Sequence, residues 1–276
     1  HDVQVLVDGE AARCVAQEAS ARWQRATGRR IEPLEAVSGD PWPADVDPDV
    51  EDCTVGLART LPSLDGTPEV REVEALYRES IRAARRAIYI ENQYLTAKRI
   101  ADELVARLGE PDGPDVVIVG PRANAGWLEE ATMGALRDDV VRRLRAADRG
   151  DRLRILYPDV RGLDASQILN VHAKVMVIDD ALARVGSSNL ANRSLGLDSE
   201  CDLALVANGS HRVAAAIERF RDDLLAEHLG TTPERVADAV AKTGSLVRAV
   251  DRLREEGGGE RTLRPIEIEA GPLAAE

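Results

Sequence analysis

The sequence predicts an α/β fold, a mixed sheet flanked by helices on both faces, and three observations carry that expectation. Short segments of alternating apolar residues, bounded by turn residues, recur along the 276 residues. Longer segments with apolar residues three and four apart lie between them, and such alternation of strand and helix builds a sheet covered by helices. One pair of strands breaks the alternation. KVMVID and LARVG are separated only by Asp180 and Ala181, and so short a connection makes an antiparallel hairpin.

In chain order, strands are expected near Val3 to Val7, Thr54 to Ala58, Ala87 to Glu91, Asp115 to Val119, Leu153 to Tyr157, Lys174 to Asp179, Ala183 to Gly186 and Asp202 to Ala207. Helical patterns run from Ala11 to Thr27, Glu69 to Arg86, Arg99 to Leu108, Gly126 to Ala147 and His211 to His228. Thr232 is placed to cap a helix that has Pro233 at its first position, and a short helix follows from Ser245. Between Arg30 and Asp52, four prolines and many acids without any period read as a surface linker. The GGGERTLRP stretch and the tail to Glu276 read as loosely ordered.

Composition narrows the function. With 44% apolar and 31% charged residues the chain can bury a core and is not a disordered tail. A formal charge of −13 and only 3% aromatic residues make nucleic acid an unlikely partner, because backbone affinity needs clustered cations and base stacking needs rings. Cys14, Cys53 and Cys201 are widely spaced and suggest neither a disulfide framework nor a zinc cage. No apolar run approaches the ~20 residues of a membrane span, so any work on membranes is done from the surface. The compartment stays open, since the chain starts at His1 rather than Met.

Chemistry concentrates in NVHAKVMVIDDALARVGSSNLANRS, Asn170 to Ser194. On a strand, His172 and Lys174 would project from one face. An imidazole can attack or carry a proton near neutral pH, and an ammonium beside it calls for an anion between them. Ser187 and Asn189 of the following GSSN turn add hydroxyl, amide and backbone N–H donors. Together they describe a phosphate site. Nothing nearby completes a metal shell, so the expectation is no metal and no cofactor, with attack by the protein itself. The chain also repeats itself weakly: HDVQVLVDG and CDLALVANG, each followed by a helical pattern, align Asp2 with Asp202 and Gly9 with Gly209. In the later copy His172 lies thirty residues before Asp202, so its counterpart would fall ahead of His1.

The spacing of His172, Lys174 and Asp179, with Gly186, Ser187 and Asn189 following, resembles the HxKx4D signature and the Gly-Ser…Asn turn after it in the phospholipase D superfamily. IYIENQYL (Ile88 to Leu95), HDVQVLVDGEAA with Trp23, and RSLGLDSECDLAL are similar to further segments of its lipid-acting members. The resemblance implies a phospholipase D-like α-β-α sandwich and a site shared by two signatures, from two lobes or two subunits. One histidine forms a covalent phosphohistidine, and the other protonates the leaving oxygen. Only one signature is present, so residues 1–29 would end a first lobe, 30–52 link, 53–230 form the second lobe, and 231–276 add C-terminal helices and a tail.

What the resemblance implies for individual residues follows from position. His172 would be the general acid and base, Lys174 and Asn189 would bind phosphoryl oxygens, and Ser187 would assist. Glu200 is expected to orient an imidazole, with Asp202 as second choice. Asp179 completes the catalytic signature set but precedes a turn, where Asp is common anyway. Gln93 and Tyr94, at a strand end, are expected to touch substrate. His211 and His228 read as surface residues. The activity implied is that of a phospholipase D or phosphatidyltransferase, hydrolysing or exchanging the headgroup ester of a phospholipid at a membrane surface. A cardiolipin-synthase-like enzyme, a nuclease and a noncatalytic binding lobe are the alternatives. With one signature, this stretch alone should turn over little unless a first lobe or a second subunit completes the site.

Overall fold

A strand buried at every position is covered on both faces, and β3 (Ala87–Asn92), buried at all six positions although it ends in Glu91 and Asn92, is such a strand in the interior of the sheet. The computed structural model describes residues 1–32, 39, 41–64, 66–123, 130–164, 167–257 and 259–268. Among these, nine strands form one mixed sheet. They are β1 (Thr54–Leu61), β2 (Val70–Arg71), β3, β4 (Asp115–Val119), β5 (Leu153–Val160), β6 (Lys174–Ile178), β7 (Leu182–Gly186), β8 (Glu200–Val206) and β9 (Arg261–Pro265), in the spatial order β2-β1-β8-β7-β6-β3-β4-β5-β9. β3, β4 and β5 run parallel. The remaining pairs are antiparallel, including β3 with β6 and the tight β6–β7 hairpin.

The period-two alternation sorts each strand between two cores. Ile88, Ile90, Val116, Ile118, Met176 and Ile178 face one side with α2 (Glu72–Ala83), α3 (Lys98–Gly109) and α4 (Ala135–Ala147). Tyr89, Val117, Val119, Val175 and Val177 face the other with α5 (His211–Leu229), α6 (Pro233–Thr243) and α7 (Leu246–Glu256). The fold is thus the expected mixed sheet between two helical layers. Thr232 caps α6 by accepting from the Arg235 N–H, as its position ahead of Pro233 predicts.

Three expectations fail locally, each for a physical reason. Val3 to Val7 forms no ladder. Only His1 pairs there, its nitrogen donating to the Asn170 carbonyl at 2.9 Å and its own carbonyl accepting from the His172 N–H at 2.8 Å, while Val5 and Leu6 stay exposed. The following helix α1 (Gly9–Thr27) buries no residue and is tied to the sheet by Glu18 to Arg59 at 2.7 Å. The Glu69 to Arg86 pattern splits, because Val70 and Arg71 pair with β1 before the helix begins. Arg261–Pro265, expected to be loose, is an edge strand paired with β5 and anchored by buried Leu263. The start of the Gly126 helix, parts of the linker (33–38 and 40) and the tail 269–276 lie outside the described residues.

Candidate functional site

Because β6 runs antiparallel to β3, with Lys174 opposite Asn92, the start of one strand and the end of the other share one edge of the sheet. Here the signature residues gather. Lys174 opens β6 and is buried. Its Nζ donates to the His172 carbonyl at 2.5 Å and to Gln93 Oε1 at 3.4 Å. Burial lowers its pKa, the charges of Asp2 and Glu200 oppose that, and Arg184 adds to it. His172 precedes the strand rather than lying in it, and its side chain is 53% exposed, open to a ligand from solvent. Its Nδ1 lies 3.0 Å from Asp2 Oδ2. Such a contact holds the ring in one orientation and leaves Nε2 to face outward. Burial, the largest influence, raises the Asp2 pKa, but the hydrogen bonds from His172 and the Val3 N–H, with the charges of His172 and Lys174, together bring it below the ordinary value.

The GSSN turn follows β7. Ser187 Oγ donates to Glu200 Oε2 at 2.5 Å, and the Asn189 side-chain oxygen is buried without a hydrogen-bond partner among the described residues. An amide can exchange its oxygen and nitrogen by a flip, so either atom can occupy this position. Beneath the turn, Asp202 accepts from the Ser188 N–H and hydroxyl. Gly186 makes that possible: a Cβ there would sit 2.0 Å from Asp202 Oδ1. Asn92 locks the turn to β3, accepting from the Leu190 N–H at 2.9 Å.

The structure places the other residues singled out in the sequence as follows. The carboxylate on His172 is Asp2, not Glu200 or Asp202. Glu200 instead engages Ser187, and burial chiefly raises its pKa. Asp202 is buried in an ion pair with Arg184. Asp179, in left-handed backbone at φ 52°, stands at the far end of β6 and accepts from the Arg85, Arg86 and Ala87 N–H groups. There it joins α2 to β3, at the opposite end of β6 from Lys174. Tyr94 is half-buried at the site edge, its N–H bonded to Asn92.

His228 is not a surface residue; it is 1% exposed. Its Nε2 lies 3.1 Å from Glu91 Oε1, which also accepts from the Tyr89 hydroxyl at 2.5 Å, while His1 Nε2 is 2.7 Å from Glu91 Oε2. Among the described residues, His1, Glu91 and His228 are the set able to hold a metal ion. Each carboxylate oxygen already faces its own imidazole, and His1 Nδ1 extends the cluster to Glu227 Oε2 at 3.1 Å, while His228 Nδ1 is buried without a partner among the described residues. Burial opposes the Glu91 charge, but the two histidines more than offset it and hold its pKa down at about 2. His1, which precedes Asp2 in the chain, is a member of the cluster.

Comparison with known proteins follows the same lines. The chain is 24% identical to phospholipase D alpha 1 of Ricinus communis, across 93% of its own length and 43% of the relative's. It is 26% identical to phospholipase D A of Dictyostelium discoideum, across 85% of its length and 21% of the relative's. The chain therefore spans less than half of these curated relatives. Among solved structures, phosphatidylserine synthase of Haemophilus influenzae Rd KW20 aligns over 80% of this chain and 47% of its own, at 16% identity and TM-score 0.46. Nuc of Salmonella typhimurium aligns over 61% and 92%, at 18% and 0.41. A family model described as cardiolipin synthase, PLD-like domain, matches residues 77–224, and since that is over half of its 276 residues the chain belongs to this family of the phospholipase D superfamily.

Proposed function

We propose that the chain forms the second half of a phospholipase D-type phosphodiesterase or phosphatidyltransferase, which cleaves or exchanges the headgroup ester of a glycerophospholipid. The observation that carries this reading is the half-exposed His172 imidazole braced by Asp2, followed by the buried Lys174 ammonium at the start of β6, with the GSSN turn tied to Asn92 opposite Lys174 and its Asn189 side-chain oxygen buried without a partner among the described residues. Lys174 and Asn189 are assigned to phosphoryl oxygens, where their donors stabilise the charge of the pentacoordinate state. His172 is assigned proton transfer to the leaving oxygen and activation of water or an acceptor alcohol. Residues 1–29 are read as the end of a first lobe that supplies the second histidine, which attacks phosphorus and carries the phosphoryl group as a phosphohistidine. Within the described residues no helix is long and apolar enough to cross a membrane.

The reading is tested by incubating the full-length protein with phosphatidylcholine vesicles and measuring choline release, with and without ethanol as acceptor. Release abolished by His172→Ala supports it. Cleavage of single-stranded DNA with no headgroup release contradicts it. Asp2→Asn is expected to reduce kcat by roughly 10- to 10²-fold with little change in KM, since an amide can present its N–H to the ring and favour the wrong tautomer. An unchanged kcat in that variant would remove Asp2 from the site.

A further inference from the structure

β7 contains a residue that sheet packing alone does not explain. In ALARVG, Ala183 and Val185 face one core, and the position between them points into the other, opposite Met176 and Ala204. That position is Arg184, fully buried in the middle of the sheet. A buried ion pair costs several kcal/mol of desolvation per ion, and a pair of apolar residues of similar volume is often as stable or more so. Stability alone therefore gives little reason for a guanidinium here, and none of the signature residues requires one.

Its hydrogen bonds supply a reason. Nε and Nη2 meet Asp202 Oδ2 at 2.9 and 2.6 Å. Nη2 also donates to the Ser188 carbonyl at 3.2 Å and to the Ser188 hydroxyl. Nη1 donates to the Lys174 carbonyl at 3.4 Å and to the Tyr77 hydroxyl, and the guanidinium carbon lies 4.3 Å from the centre of the Tyr77 ring. Tyr77 in turn donates to the Ser188 carbonyl at 3.3 Å. One rigid five-donor fork thus holds the backbone of the strand that carries the ammonium and of the turn that carries Asn189, one residue after Ser188. A lysine, with a compact charge on a flexible stem, cannot bridge the same acceptors.

We propose that Arg184 is a positioning residue: clamped by Asp202 and Tyr77, it sets the separation between Lys174 and the GSSN turn and so pre-forms the oxyanion site. The proposal rests on the phosphodiester reading above. It gives the buried charge a task that packing cannot perform, because a displacement of about 1 Å at such a site costs on the order of 10²-fold in rate.

The test uses the full-length protein, the soluble phosphodiester bis(p-nitrophenyl) phosphate, and urea unfolding. The double variant R184M/D202L removes both charges at similar volume; because the Ser188 N–H and the Ser188 and Lys174 carbonyls lose these partners, its urea midpoint is expected to fall, and its kinetics are read without urea, where the titration shows it folded. Its kcat is expected to fall about 10²-fold, with KM changing less than about threefold. R184K, which retains the ion pair, is expected to lose kcat as well. Wild-type kcat in a stably folded R184M/D202L, or in R184K, would make Arg184 an element of stability only and overturn the proposal while leaving the phosphodiester reading intact. An unmodified protein that hydrolyses neither this ester nor phosphatidylcholine would overturn both.

Discussion

Replacing His172 by Ala is expected to lower phosphodiester turnover by roughly 10²- to 10⁴-fold, the range that a positioned general acid–base group contributes. The fold should be unaffected, because the imidazole is half exposed and its side-chain bond is to Asp2 at the surface. KM for a soluble phosphodiester should change little, since Lys174 and Asn189 would still take the phosphoryl oxygens. The same variant should therefore separate chemistry from binding: kcat collapses while the unfolding midpoint and anion affinity stay near those of the unmodified protein. Steady-state kinetics beside a urea titration measure both. A modest loss, within about threefold, would place the proton transfer elsewhere.

Glu91→Gln is expected to destabilise the fold by about 3–5 kcal/mol, the cost of breaking a buried ionic cluster by removing one partner. Glu91 is fully buried on the central strand and accepts from two imidazoles and a phenol, an arrangement an amide cannot reproduce because its NH₂ group donates. The cluster also gives a pH signature with a definite sign. Glu91 is held at about 2 against an ordinary 4.5, so its contribution is present above about 4.5 and is lost as pH falls toward 2. For His1, burial lowers the pKa, but Glu91 and then Glu227 raise it more, leaving it above 6.5. Its contribution is complete below 6.5 and disappears as pH rises through the raised value. These two groups therefore stabilise most between about 4.5 and 6.5. Urea unfolding at about pH 5.5 and pH 8 should show the alkaline loss in the unmodified protein and a smaller loss in Glu91→Gln. Equal losses in both would show that the cluster is not ionised as described.

What could be read from the sequence was what is local. Short unbroken apolar runs in IYIEN, VVIV and KVMVI mark strands covered on both faces, a pattern that is local to each segment. The spacing of His172, Lys174 and Asn189 was equally legible because it spans one hairpin. Misreadings occurred where the partner decides the outcome. RTLRP becomes a strand only because β5 offers an edge, and QVLV does not because nothing pairs with it. The carboxylate on His172 lies 170 residues away in the chain, and His228 reaches Glu91 across 137. No local pattern encodes such contacts. One signal did exist for Asp2: the internal repeat aligned it with Asp202, the residue considered as second choice for that task. Arg184 left no trace in periodicity at all, since a charged residue inside an apolar strand ordinarily argues against burial.

The most direct measurement is the position of a tetrahedral anion in crystals of the full-length protein soaked with tungstate. The account predicts the oxyanion within hydrogen-bonding distance of His172 Nε2, Lys174 Nζ and the Asn189 side chain, with Asp2 still on Nδ1. An anion bound elsewhere, or these three groups turned away from a common point, would contradict it.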